Sequence, residues 1–194
     1  MRATLFAGLS ALALIAAAAP AMAGGVSVTH GGGNINTAVG KFSEADQSIA
    51  TVGGSALGRG RVITNGGNNI NTARGAHSLA AQDVTTTGGV AFGRGRVITN
   101  GGANRNTALG FGSVAGQSVA TVGGSAAGHG LSRTSGGFNT NAAVGKFSDA
   151  EQQVLTLGGA AGRGKNLTFG GSNHNAALGK GSFAGQQVVT VGGQ

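Results

Sequence analysis

The sequence repeats itself, and the period sets what it can fold into. Aligned on its Gly-Gly pairs, the chain divides into residues 31–65, 66–100, 101–135, 136–169 and 170–194: three units of 35 residues, a fourth shorter by one, and a partial fifth. A period of this size marks one supersecondary unit per copy, which cannot bury its own face and must lie on its neighbour. Composition closes the other routes. Of 194 residues 41 are Gly, Cys, Trp and Tyr are absent, and the only Pro is Pro20. A chain so poor in large apolar side chains cannot build an ordinary globular core, and without Cys it cannot be stapled. Disorder or stacking remains. A register held over every unit selects stacking.

Within that register the same residues return. Asn34, Asn69, Asn104, Asn139 and Asn173 form one series, Asn36, Asn71, Asn106, Asn141 and Asn175 a second two residues on, and Ala38 with its copies a third. Gly40 and Ser43 recur, then Gln47, Gln82, Gln117, Gln152 and Gln186. Asn-x-Asn-x-Ala and Gln-x-Val-x-Thr alternate with period two, the strand period. The expected unit has one strand over Asn-x-Asn-x-Ala and a second over segments such as 47–52. A third, over 61–65 and 96–100, fades in later units. Gly-Gly pairs and Gly-Arg-Gly segments supply the corners. The fold class is therefore all-β: a repeat β-solenoid or cross-β stack of about five strand-turn-strand units.

Stacked coils lie about 4.8 Å apart, so a residue sits over its copy in the next coil. Asn and Gln each carry a donor and an acceptor, so identical columns can hydrogen-bond along their length. The three amide series are expected to be assembly ladders. Ile49, Thr51 and their copies suit a half-buried pleated surface, and the Ala38 series a thin interior.

Residues 1–23 read as a secretory signal peptide: Arg2, an apolar run from Leu5 to Ala19, Pro20, then Ala21-Met22-Ala23 before Gly24. The run is too short for a confident span, and nothing later approaches ~20 consecutive apolar residues. The expectation is a secreted chain without a membrane span once the leader is removed. Residues 24–30 form a β-prone lead segment before the first unit.

Gly33-Asn34-Ile35-Asn36-Thr37-Ala38 followed by Gln47-Ser48-Ile49-Ala50-Thr51-Val52 resembles the repeats of curli subunits. The resemblance touches every unit, although this unit is longer, its Asn-to-Gln spacing wider, and a Gln-x-Gly-x-x-Asn run is missing. It implies export through an outer-membrane pore of a Gram-negative-type bacterium, nucleated growth of an amyloid fibre (a homopolymer started by a nucleator subunit), and roles in adhesion and biofilm matrix at the cell surface. A second segment, Asn106-Thr107-Ala108-Leu109-Gly110-Phe111-Gly112-Ser113-Val114-Ala115-Gly116, is similar to the head repeats of trimeric autotransporter adhesins. Those proteins end in a stalk and a membrane-anchoring barrel, which this sequence does not carry, so that reading ranks second.

Few residues suggest chemistry. The five acids, Glu44, Asp46, Asp83, Asp149 and Glu151, fall in one recurring segment and read as solvent-facing charges. Glu44 and Asp46 share a strand face, and acids are absent from the third and fifth units. His30, His77, His129 and His174 occupy four different offsets, so stacking does not gather them into a metal site. Gly-Gly-x-Asn lacks the Asp of calcium-binding repeats. No catalytic residue, cofactor or metal is expected, and the chain is read as a non-enzyme.

The formal net charge is +8. Of thirteen Lys and Arg only Arg2 lies in the leader, which leaves +7 for the rest of the chain. Arg59 and Arg61, Arg94 and Arg96, and Arg163 and Lys165 recur at one corner, with His129 in the corresponding place of the third unit. Stacking would align them into a basic stripe. Such a stripe attracts anionic surface polymers, and equally limits association between like-charged corners. Aromatics are too scarce for a dedicated nucleic-acid surface.

Overall fold

Each Gly-Gly pair is a bend at which the strand direction changes, and the chain climbs as a coil. The computed structural model describes residues 22–23 and 25–193. The expected signal peptide lies outside the described residues except for Met22 and Ala23, which form the two-residue strand β1 (Met22–Ala23). The first coil then runs β2 (Val26–His30), β3 (Gly33–Val39), β4 (Glu44–Val52) and β5 (Ser55–Leu57). The second repeats it as β6 (Arg61–Asn65), β7 (Asn68–Arg74), β8 (Leu79–Thr87) and β9 (Val90–Gly93). The third is β10 (Arg96–Asn100), β11 (Ala103–Leu109), β12 (Val114–Val122) and β13 (Ser125–Gly128). The fourth is β14 (Leu131–Ser135), β15 (Phe138–Val144), β16 (Asp149–Leu157) and β17 (Ala160–Ala161). The last is β18 (Lys165–Phe169), β19 (Ser172–Leu178) and β20 (Phe183–Val191). No helix occurs among the described residues.

Each strand pairs in parallel with its copies one coil above and below, giving four five-stranded sheets. We call them the arginine sheet (β2, β6, β10, β14, β18), the asparagine sheet (β3, β7, β11, β15, β19), the glutamine sheet (β4, β8, β12, β16, β20) and the short sheet (β1, β5, β9, β13, β17). Register follows the repeat residue for residue: Asn69 pairs with Asn104 and Asn34, Gln82 with Gln117 and Gln47. The molecule is a β-solenoid of about five coils.

Two features depart from the sequence expectation. The third strand does not fade: β14 and β18 continue the arginine sheet, because parallel pairing needs only backbone groups and their inward positions stay small and polar (Ser132, Thr134, Asn166, Thr168). A fourth strand per coil, in the short sheet, was not anticipated; it spans two to four residues and buries a single alanine, Ala56, Ala91, Ala126 or Ala161. The lead segment supplies β2, the first rung of the arginine sheet.

The interior is thin. Between the asparagine and glutamine sheets lies an alanine-only cluster, Ala73, Ala108 and Ala143 against Ala45, Ala80, Ala115 and Ala150. Val62 and Val97 meet the short-sheet alanines, and Ile49, Val84, Val119 and Val154 form one column of the glutamine sheet. The Gly-Gly bends are equally tight. A Cβ on Gly31 would lie 2.6 Å from Thr51 Oγ1, and one on Gly66 2.5 Å from Thr86 Oγ1. Glycine is required there because threonine from the opposite layer fills the space. The fourth unit's missing residue is taken up between β17 and β18: four residues separate Ala126 from Leu131, but three separate their partners Ala161 and Lys165. All other rungs stay in register.

Candidate assembly and binding surfaces

The first asparagine column is one continuous chain of hydrogen bonds. Asn34 Nδ2 donates to Asn69 Oδ1 (2.9 Å), Asn69 to Asn104 (2.7 Å), Asn104 to Asn139 (2.8 Å) and Asn139 to Asn173 (2.7 Å). Each amide also donates to a glycine carbonyl three residues back, as Asn69 does to Gly66 at 3.1 Å. That second bond fixes which way the amide faces. Every link therefore points toward the C-terminal coil.

The second column ties the two layers together. Asn71, Asn106 and Asn141 donate along the column to Asn106, Asn141 and Asn175, each at 3.0 Å. The same nitrogens also reach carbonyls of the glutamine sheet; Asn106 Nδ2 donates to Ala80 O (2.9 Å) and Gly116 O (2.7 Å). At the first rung the amide of Asn36 donates to Asp46 O (2.7 Å), and the buried Asn71 Oδ1 has no hydrogen-bond partner. This ladder thus links four of its five asparagines.

The glutamine column runs the other way. Gln82 Nε2 donates to Gln47 Oε1 (2.7 Å), Gln117 to Gln82 (2.7 Å), Gln152 to Gln117 (2.6 Å) and Gln186 to Gln152 (2.6 Å). Gln82, Gln117 and Gln152 are buried, whereas at the end rungs Gln47 is half-buried and Gln186 exposed. A typical hydrogen bond of this kind contributes about 1 kcal/mol net, but leaving one unmade in the interior costs about 1–3 kcal/mol. A serine column at the turn adds to the ladders: Ser43 and Ser78 hydroxyls lie 3.0 Å apart, and Ser113 Oγ donates to Gly75 O at 3.1 Å.

Threonine columns behave differently. Thr51, Thr86, Thr121 and Thr156 line the glutamine sheet and Thr64, Thr99 and Thr134 the arginine sheet, all buried, and none of their hydroxyls has a hydrogen-bond partner. Their role is shape, filling the notches left by the bend glycines.

One column escaped the sequence reading. At the turn between the asparagine and glutamine sheets, the rings of Phe42 and His77 stack at 5.4 Å, and His77–Phe111 and Phe111–Phe147 meet edge to face at 5.5 and 5.7 Å. Phe42, His77 and Phe147 adopt positive φ (60°, 53° and 55°), which costs about 1–2 kcal/mol each for a residue with a Cβ. In the third coil the φ-positive position is Gly112 and the ring comes from Phe111, one residue earlier. The recurrence of Phe42 and Phe147 at one offset was the available signal; the one-residue step in the third coil hid it.

The charged residues separate. All five acids lie on strands of the glutamine sheet, where Asp46 beside Glu44 raises the Glu44 carboxyl above its ordinary value. Arg59, Arg61, Arg94, Arg96, Arg163 and Lys165 are exposed at the corner between the short and arginine sheets, with His129 exposed in the same row. His30, His77, His129 and His174 stand in four different columns, and no group of three metal-ligating side chains occurs among the described residues. The fold defines a parallel β-solenoid with hydrogen-bonded amide ladders. No protein-family model matches the chain, and neither a curated protein nor a solved structure matches it.

Proposed function

We propose that the chain is a secreted, non-enzymatic, self-assembling subunit of a curli-like surface amyloid fibre, with a role in adhesion and biofilm matrix. The observation that carries this reading is the complementarity of the two end rungs. Asn34 donates into the stack and Gln47 accepts from it, so the remaining acceptor of Asn34 and donor of Gln47 belong to the open side. At the other end Asn173 accepts and Gln186 donates, which leaves the reverse pair. A second copy placed end-on meets donor with acceptor in both columns, and its backbone continues the parallel sheets. Exposed strand edges of this kind are what isolated proteins normally blunt. The coil spacing is already that of a cross-β stack.

On this reading the leader directs export, an outer-membrane pore and a nucleator subunit serve assembly, and the fibre stands on the surface of a Gram-negative-type cell. The test is growth of residues 24–194 after dilution from denaturant, followed by thioflavin fluorescence, seeding and fibre diffraction. Seeded elongation with reflections near ~4.7 and ~10 Å is expected. A discrete soluble β-rich species that ignores seeds would overturn the fibre and favour a non-amyloid β-roll surface adhesin, whose mass would then test for a trimer.

A further inference from the structure

The corner between the short and arginine sheets is held by glycine on both sides of its tip. Gly58, Gly93 and Gly128 have φ of 74°, 86° and 93°. On the far side Gly60 and Gly95 are buried, and a Cβ there would lie 2.7 and 2.8 Å from the Cβ of Ala56 and Ala91. The residue between the two glycines is left at the crest with nowhere to fold back: Arg59, Arg94, His129 or Arg163. Two residues on, at the first position of the arginine sheet, Arg61 pairs with Arg96, Leu131 interrupts the row, and Lys165 takes the same position in the last coil. None of the five acids lies within this corner in any coil, so no carboxylate of the described chain neutralises it.

The result is a straight double row, about 14 Å long over three coil steps, with one rung every ~4.8 Å; three of its four rungs carry two cations each, and the third carries His129 and Leu131 instead. We propose that this corner binds a linear carboxylated polysaccharide laid along the solenoid axis, its carboxylates meeting the rungs of Arg59, Arg94 and Arg163. A single sugar chain bearing one carboxylate per unit has an axial charge repeat close to the coil spacing, and rotation about its glycosidic bonds can turn carboxylates toward one side. Guanidinium groups hold carboxylates through two parallel hydrogen bonds, and their rigid fork loses little freedom in doing so. Duplex nucleic acid fits less well, because its phosphates wind away from a straight row. Single strands need rings for the bases to stack on, and Phe92 is the one aromatic of the short sheet. The proposal rests on coil geometry alone and stands whether or not the chain forms fibres.

Fluorescence anisotropy of labelled polygalacturonate oligomers, titrated with soluble full-length protein over a series of salt concentrations, tests it. R59S/R94S should weaken binding on the order of tenfold or more at low salt and lower the salt slope by about two. R74S/R105S removes the same charge from the asparagine sheet and should change affinity less than about threefold. R59K/R94K, which keeps charge but not the fork, should fall between. Circular dichroism of each variant verifies the coil; if the serine pair does not fold, the lysine pair must still bind more weakly than the parent. Equal losses from the two serine pairs, no loss in the lysine pair, or tighter binding of duplex DNA at matched salt would overturn the proposal.

Discussion

The amide columns and the threonine columns are both buried, both polar and both built from one residue type per rung, yet they stabilise the coil by different means. Along Asn69, Asn104 and Asn139 each side chain donates to its copy and to a glycine carbonyl. Along Thr86, Thr121 and Thr156 no hydroxyl has a partner, and the side chains instead occupy the hollows opposite Gly66, Gly101 and Gly136. An amide has a donor and an acceptor at fixed positions and can link copies 4.8 Å apart. The threonine hydroxyls, turned toward the bend glycines, make no bond to their copies. Repetition of a polar residue therefore carries two meanings: along these strands the amides form chains of bonds and the threonines fill space.

Four changes probe that difference, in order of expected effect. Q82K/Q117K places two like charges on adjacent buried rungs and should destabilise the coil by at least about 5 kcal/mol, abolishing cooperative thermal unfolding. Native-like melting of this variant would sink the ladder account. N106A removes bonds to Ala80, Gly116 and Asn141 and the one accepted from Asn71, and leaves Asn141 Oδ1 without its donor; a loss of about 2–4 kcal/mol in denaturant unfolding is expected.

T86V keeps the shape and deletes an unpartnered hydroxyl. Its stability should lie within about 1 kcal/mol of the parent. If T86V cost as much as N106A, the distinction between bonded and space-filling columns would collapse. The smallest effect is at the outer face. Glu44 has its folded-state carboxyl raised by Asp46, so it takes up its proton more readily folded than unfolded. Its penalty is absent below the ordinary carboxylate range, appears as pH rises through that range, and is complete above the raised value. E44Q should therefore raise the melting temperature slightly at neutral pH and not at strongly acid pH, with the exposed position keeping the gain small.

Much of this architecture is legible in the residues because the repeat and the stack share one period. Asn34, Asn36 and Gln47 could be read as column members from spacing alone, since an in-register parallel stack places every copy over the last. What spacing could not supply was length and reach. Strands such as Ala160–Ala161 are too short to show alternation, and only a column of alanines marks them. The break between Asn36 and Asn71 has no counterpart in residue type, since Asn71 and Asn106 donate to the equivalent carbonyls, Ala81 O and Gly116 O, and still bond their copies. The aromatic column changes residue at Phe111, so a strict position-by-position comparison passes over it.

The one-residue deletion in the fourth unit has a practical reading. It falls at the corner between Ala161 and Lys165, while Asn139 still reaches Asn173 at 2.7 Å and Gln186 still reaches Gln152 at 2.6 Å. The chain thus has an expansion joint: a corner where length changes without the neighbouring columns losing step. A foreign peptide spliced between Gly128 and His129 would be carried outward on that joint, and a stack of such coils would present it as a display array.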